Sequence, residues 1–239
     1  MKPSLARVVR GFLTFSFLLA VSCGGVPQRE GVTSTQAHMF AHFDRAGEVH
    51  DALVRGDLDR AKTAASWIAT HEEPSGIPGE HPEFLNEMHR QAQALSRSND
   101  LEEASAAAAR MGQTCGDCHK ANEVSPRFLI GTAPPGGSGT KAEMARHVWA
   151  SERMWEGLVG PGDDAWKWGA EALKSGWLDP REIVSDPDDG PAIHALVRQV
   201  YDLGGQAETA TDSEARAALY GEFLNTCCGC HRLTEARIR

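Results

Sequence analysis

The sequence predicts an all-α protein made of two tandem four-helix bundles. Three observations carry that reading. Apolar residues recur at helical spacing between short breaks rich in Gly, Pro, Asp and Asn; strand-like alternation is nearly absent; and the second half of the chain repeats the first.

The N-terminus stands apart from the rest. Lys2, Arg7 and Arg10 precede an uncharged apolar stretch at 12–21. A run that short suits the apolar region of a secretory signal better than a membrane-spanning helix. Ser22-Cys23-Gly24-Gly25 follows and resembles the lipobox of bacterial lipoproteins, where cleavage leaves the cysteine as a lipidated N-terminus. Ala20 stands where those sequences usually carry Leu, and ordinary secretory cleavage near the same place is the alternative. The expectation is a lipoprotein signal peptide at 1–22, a tether at 23–33, and an exported chain held to a membrane by lipid at Cys23, on the periplasmic side or at the cell surface.

Four helices are expected in the first half, at about 34–55, 57–72, 82–97 and 100–121. They are separated at Gly56-Asp57, at the Pro- and Gly-rich stretch 73–79, and at Ser98-Asn99-Asp100. The second half runs at about 140–159, 162–176, 190–206 and 212–236. Residues 131–140, rich in Gly and Pro, read as a linker. Short connections then make each half an up-and-down bundle, the first at 34–130 and the second at 141–239.

The repeat fixes equivalences between the halves. Met39, His42, Leu53 and Val54 match Met144, His147, Leu158 and Val159 at an offset of 105, while the approaches to two cysteine motifs match at 112. The change implies about seven extra residues in the middle of the second half, where 178–191 is rich in Asp and Pro. Asp100 and Asp212, equivalent at the larger offset, are good helix N-caps with acids after them.

The formal net charge is −9, and loss of 1–22 removes three positive charges. An acidic, aromatic-poor chain has no electrostatic case for nucleic acid as a partner. Six cysteines in an exported protein would ordinarily suggest disulfides. Their spacing argues otherwise. Cys115-Gly116-Asp117-Cys118-His119 and Cys227-Cys228-Gly229-Cys230-His231 both read C-x-x-C-H, the signature of covalent c-type haem. Two thiols three positions apart on a helix reach the two vinyl groups on one porphyrin edge, and the adjacent histidine ligates iron from the proximal side. The expectation is two haem c groups, on Cys115, Cys118 and His119 and on Cys227, Cys230 and His231. A zinc site would pair C-x-x-C with another C-x-x-C or with H-x-x-x-H nearby, and one zinc shared by the four cysteines of the two halves would leave both histidines unexplained. A thioredoxin-like motif would need a strand–helix setting that neither site has. Cys228 fills one of the variable positions as an inert thiol.

A four-helix bundle with C-x-x-C-H on its last helix, near the end of the domain, resembles the cytochrome c-prime superfamily. Met39-Phe40-Ala41-His42-Phe43-Asp44-Arg45 is similar to a first-helix stretch in some of its members, and the resemblance covers each half once. It implies a haem lodged between helices, a proximal histidine on the fourth helix, and a distal side supplied by the first. The superfamily includes five-coordinate proteins that bind small gases and six-coordinate relatives that transfer electrons.

That makes the inward stripe of the first helix the place to look. Met39, His42, Phe43, Ala46, Val49 and Leu53 share one face, and Met144, His147, Val148, Ser151, Trp155 and Leu158 share the matching one. His42 and His147 are the preferred distal ligands, Met39 and Met144 the alternatives, and an open distal side the third possibility. Methionine is also ordinary core filler, whereas a buried imidazole needs a partner. His38, His50, His71, His81, His89 and His194 lack equivalents and are expected at the surface or at caps. The six tryptophans are expected in the core or in pocket walls.

The function expected from these residues is outer-sphere electron transfer between redox partner proteins at a bacterial membrane, by an electron carrier and not an enzyme. The alternative is a sensor or scavenger that binds nitric oxide or carbon monoxide at open distal sites. A peroxidase is disfavoured, since His42 has Arg45 beside it but Ala150 stands at the equivalent place in the second half.

Overall fold

Helix ends are written into the chain by capping chemistry. A computed structural model describes residues 33–71, 81–128 and 134–234. The expected signal peptide, lipidated Cys23 and nearly all of the tether lie outside these residues. α1 (Ser34–Val54) starts from a capping box in which Thr33 accepts from the Gln36 backbone N–H and the Gln36 side chain accepts from that of Thr33. It stops in a Schellman motif. The Gly56 N–H bonds to the Leu53 carbonyl at 2.8 Å and the Asp57 N–H to that of Ala52 at 2.9 Å, with Gly56 at φ +73°.

Asp57 at once caps α2 (Leu58–Thr70) through the Arg60 N–H. α3 (Pro82–Ser96) opens with proline in its first turn, where no N–H is missed. Asp100 caps α4 (Leu101–Ala121), and Asp212 caps α8 (Ser213–Leu233) in the same way, each accepting at 2.8 Å from the N–H three residues on. Between them run α5 (Thr140–Val159), α6 (Asp163–Lys174) and α7 (Gly190–Ala207). The extra length before α7 is spent on two single-turn 3₁₀ helices, Pro180–Glu182 and Pro187–Asp189, capped by Asp179 and Asp186. Eight α-helices and no strand occur among the described residues, so the architecture is all-α.

Consecutive helices pack on one another from α1 to α4 and again from α5 to α8. The repeats then meet along α4 and α8, with α4 also against α5 and α1 against α8, and the described residues form one compact unit. One core runs through both repeats: Val49 and Leu53 of α1, Met111 of α4, Trp155 and Leu158 of α5, and Tyr220 and Phe223 of α8. Close approach needs small residues. A Cβ on Gly221 would stand 3.3 Å from the Ala106 Cα, and one on Gly112 would stand 2.5 Å from the Trp155 ring. Gly116 is tighter still, for its Cβ would lie 2.1 Å from the Leu158 carbonyl oxygen.

Several side chains sit elsewhere than the sequence suggests. Val148 is exposed although it falls on the stripe of its helix, and Trp168 and Trp177 are 48% and 58% exposed. α6 buries the face carrying Trp166, Gly169, Ala170 and Leu173, which turns Trp168 to the opposite side, and Trp177 lies past the helix end, stacked on Tyr201 at 5.1 Å. His38 and His50 are buried, not at the surface. His50 finds its partners across the repeat boundary: Nε2 lies 2.8 Å from the Ser151 hydroxyl, and the ring stacks on Trp155 and Tyr220. The Tyr220 hydroxyl in turn donates to the Ser151 carbonyl at 2.9 Å, so this buried polar group is satisfied.

Two glycine substitutions separate close packing from helix propensity. Gly116→Ala places a methyl against backbone and should destabilise the protein by about 1–3 kcal/mol. Gly47→Ala, inside α1 with nothing within 4 Å of the added atom, should stabilise by about 0.5–1 kcal/mol. Chemical denaturation of the full-length protein measures both.

Candidate haem sites

The two C-x-x-C-H motifs occupy the last turns of α4 and α8. A helix brings residues three apart onto one side, so Cys115 and Cys118 share a face, as do Cys227 and Cys230. None of these four is in a disulfide. Burial pushes the Cys115 thiol up to about 12 and that of Cys227 well above its ordinary range, with Cys230 raised for the same reason. A reactive or metal-binding C-x-x-C needs the reverse, a thiol pKa lowered by nearby positive charge.

Each histidine of the motifs is oriented by a backbone carbonyl of the opposite repeat. His119 Nδ1 lies 2.8 Å from the Val159 carbonyl oxygen, and His231 Nδ1 lies 2.5 Å from that of Val54. A carbonyl only accepts, so Nδ1 carries the proton and Nε2 keeps its lone pair. Burial lowers the pKa of both rings and the carbonyl bond opposes it, so the lone pair is held on a largely neutral imidazole. An imidazole fixed through one nitrogen and bare at the other is what an axial iron ligand requires.

His42 and His147 face inward from α1 and α5. Neither ring nitrogen of His42 has a hydrogen-bond partner, nor does Nε2 of His147, and all three atoms are buried. Burial, aided by His38, His71 and His89, lowers the His42 pKa to about 3. Burial also lowers that of His147 to about 4, with Glu143 opposing and His231 and Arg146 assisting. His231 is thus near enough to act on His147, while the groups acting on His42 are the other histidines around it. Met39 and Met144 are both half-buried. Met144 packs on the small cluster of Leu178, Ile193 and Val197.

The surroundings of the two inward histidines differ. In the first repeat the His38 ring lies 4.2 Å from that of His42 and stacks on His71 at 5.2 Å, and Trp67 covers His71 at 3.9 Å. His38, His42 and His71 bring ligand atoms within 4.8 Å of one another, a spacing at which imidazoles hold a divalent transition ion. At the 105 offset the second repeat has Glu143 and Gly176 in place of His38 and His71. The Glu143 carboxylate fills the space beside Gly176, where a Cβ would collide with it, and it pairs with Arg146. The His38–His42 spacing of four residues was visible in the sequence as one helical face, but nothing there joined His71 to it.

The structure thus gives each thiol pair a motif histidine with a bare nitrogen, and in each repeat an inward imidazole with an unpartnered nitrogen. Orphaned buried imidazole nitrogens are costly unless something binds them, and haem iron fits that donor set. Comparison of the chain with protein-family models, with curated proteins and with solved structures finds no match.

The low pKa values of His42 and His147 make the stability of the polypeptide depend on pH. The unfolded chain binds protons at these rings near 6.5, whereas the folded chain does so only near 3 and 4. Their contribution to stability is therefore complete above pH 6.5 and is lost progressively as pH falls through that window. Thermal melts should show a smaller drop between pH 7 and about 4.5 when both residues are changed to Gln.

Proposed function

We propose that this chain is a diheme c-type cytochrome that carries electrons between redox proteins at the outer side of a bacterial membrane. One observation carries the reading more than any other: both C-x-x-C-H histidines are locked by a carbonyl in the tautomer that leaves Nε2 bare. In this reading Cys115 and Cys118 hold one haem, and Cys227 and Cys230 the other. Each group sits in its own four-helix bundle, 34–130 and 141–239. His119 and His231 are the proximal ligands. His42 and His147 are the distal ligands, in preference to Met39 and Met144, because each carries a buried ring nitrogen without a hydrogen-bond partner.

A bound haem supplies a one-electron change between ferric and ferrous iron, with the electron arriving from one protein and leaving to another. The protein's part is to hold both axial nitrogens still, to keep water from the distal side, and to set the potential through burial and ligand basicity. Nδ1 of each motif histidine keeps its proton, donated to its carbonyl, throughout. An electron carrier of this kind needs no acid–base machinery, and nothing in the reading assigns catalysis to the chain.

Attachment at Cys23 completes the proposal. A single acyl chain binds a bilayer only marginally, so the several chains of a bacterial lipoprotein are what would keep the carrier at the surface. No helix of the described residues is long and apolar enough to cross a membrane.

Mass spectrometry of the mature protein should show two haems linked by thioethers; a mass fitting one haem or none removes the proposal. The reduced protein should be low-spin and indifferent to carbon monoxide. His147→Ala should make one haem high-spin and open to carbon monoxide while the other keeps its spectrum. Avid carbon monoxide binding by the unaltered protein would favour the gas-binding alternative, and a band near 695 nm lost on Met39→Ala or Met144→Ala (roughly as expected for axial Met ligation) would hand the distal place to methionine. Cys23→Ser should move the protein from the membrane fraction to the soluble fraction, or leave it uncleaved.

A further inference from the structure

Four contacts between the repeats obey a single two-fold relation. His119 donates to the Val159 carbonyl and His231 to that of Val54, and the two histidines and the two valines are equivalent pairs in the duplicated sequence. One residue earlier in the acceptor helices and three earlier in the donor helices, the pattern recurs. The Cys228 thiol donates to the Leu53 carbonyl at 2.7 Å, and Gly116, its counterpart, presses its backbone against the Leu158 carbonyl. The acceptors are the last carbonyls of α1 and α5, which a helix cannot satisfy internally and which carry the negative end of its dipole.

We propose that each repeat tunes the haem of the other: the C-terminal carbonyl of its first helix polarises the proximal histidine across the boundary and so lowers that haem's potential. This rests on the diheme reading. The bond from Nδ1–H to a carbonyl at a negative helix end makes the imidazole a stronger donor, which favours ferric iron. Neither proximal ligand is complete within its own repeat. The two haems are therefore coupled through protein as well as through space, and a change at the end of α1 is read at the site on α8.

Gly56 is the positioning residue that exposes this coupling. Its φ of +73° closes the Schellman turn that sets the direction of the Val54 carbonyl, and a Cβ there would meet nothing closer than the Cys228 carbonyl oxygen at 3.6 Å. Space is available, so a substitution acts through backbone conformation. Valine resists a positive φ, whereas Asn, of similar size, tolerates it.

The test uses the full-length protein as purified, labelled with ¹⁵N at histidine, with each haem assigned by NMR contacts to its own attachment helix. Gly56→Val should raise the midpoint potential of the haem on Cys227 and Cys230, and should speed solvent exchange of the His231 Nδ1–H. The haem on Cys115 and Cys118 and the His119 signal should stay unchanged, and Gly56→Asn should restore both readouts. A shift confined to the haem on Cys115 and Cys118, equal shifts of both, no shift of either, or identical behaviour of the Val and Asn variants would overturn the inference. Were the protein to carry no haem, the proposed function would fail by mass alone. The exchange of the two Nδ1–H groups would still report whether the cross-repeat bonds exist.

Discussion

The carbonyls at the ends of α1 and α5 are the constraint around which the rest of the molecule is arranged. A helix leaves its last carbonyls without internal donors, and burying them unpaired would be costly. In α1 the Ala52 and Leu53 carbonyls are met by the following turn, and the thiol of Cys228 adds to Leu53. Val54 is left to His231, as Val159 is left to His119. Satisfying the helix end and orienting the imidazole are the same bond. For that bond to form, α8 must lie against α1 and α4 against α5, and the small residues where the helices cross allow it.

Within that shared frame the two repeats have diverged where symmetry does not bind them. Glycine at 116 lets α4 touch α5 backbone to backbone, whereas cysteine at the equivalent 228 keeps a short distance and fills it with a sulfur donor. Around the inward histidines the first repeat collects aromatic rings, His38, His71 and Trp67, and the second places the Glu143–Arg146 pair. His42 and His147 therefore sit at matching places in unlike electrostatic settings, one crowded by imidazoles and the other beside a carboxylate.

Much of the helical framework was legible because its signals are local. Caps at Asp57, Asp100 and Asp212, the stop at Gly56, and the proline at the start of α3 act within a few residues. The thiol pairs and their histidines were legible for the same reason. The distribution of burial was less so. Val148 fits an inward stripe and Trp168 was expected inside as a tryptophan, yet both are exposed, while His38 and His50 lacked equivalents and are buried. Their fate is decided by what lies opposite: His50 is buried because Ser151, Trp155 and Tyr220 come from other helices to receive it. The bonds that orient His119 and His231 were beyond reach in principle, since their acceptors are backbone atoms and any residue could have supplied them.

The reciprocal pairing of Val54 with His231 and Val159 with His119 has the form of an isologous interface, with the same patch presented from both sides, but it is contained in one chain. In a symmetric homodimer every substitution is made twice, and both copies of a site change together. Here each position is encoded once, so one member of an equivalent pair can be altered while its counterpart is kept. Such a chain keeps the mutual support of a dimer without its dependence on protein concentration, and it can hold two centres that are alike in construction and unequal in character.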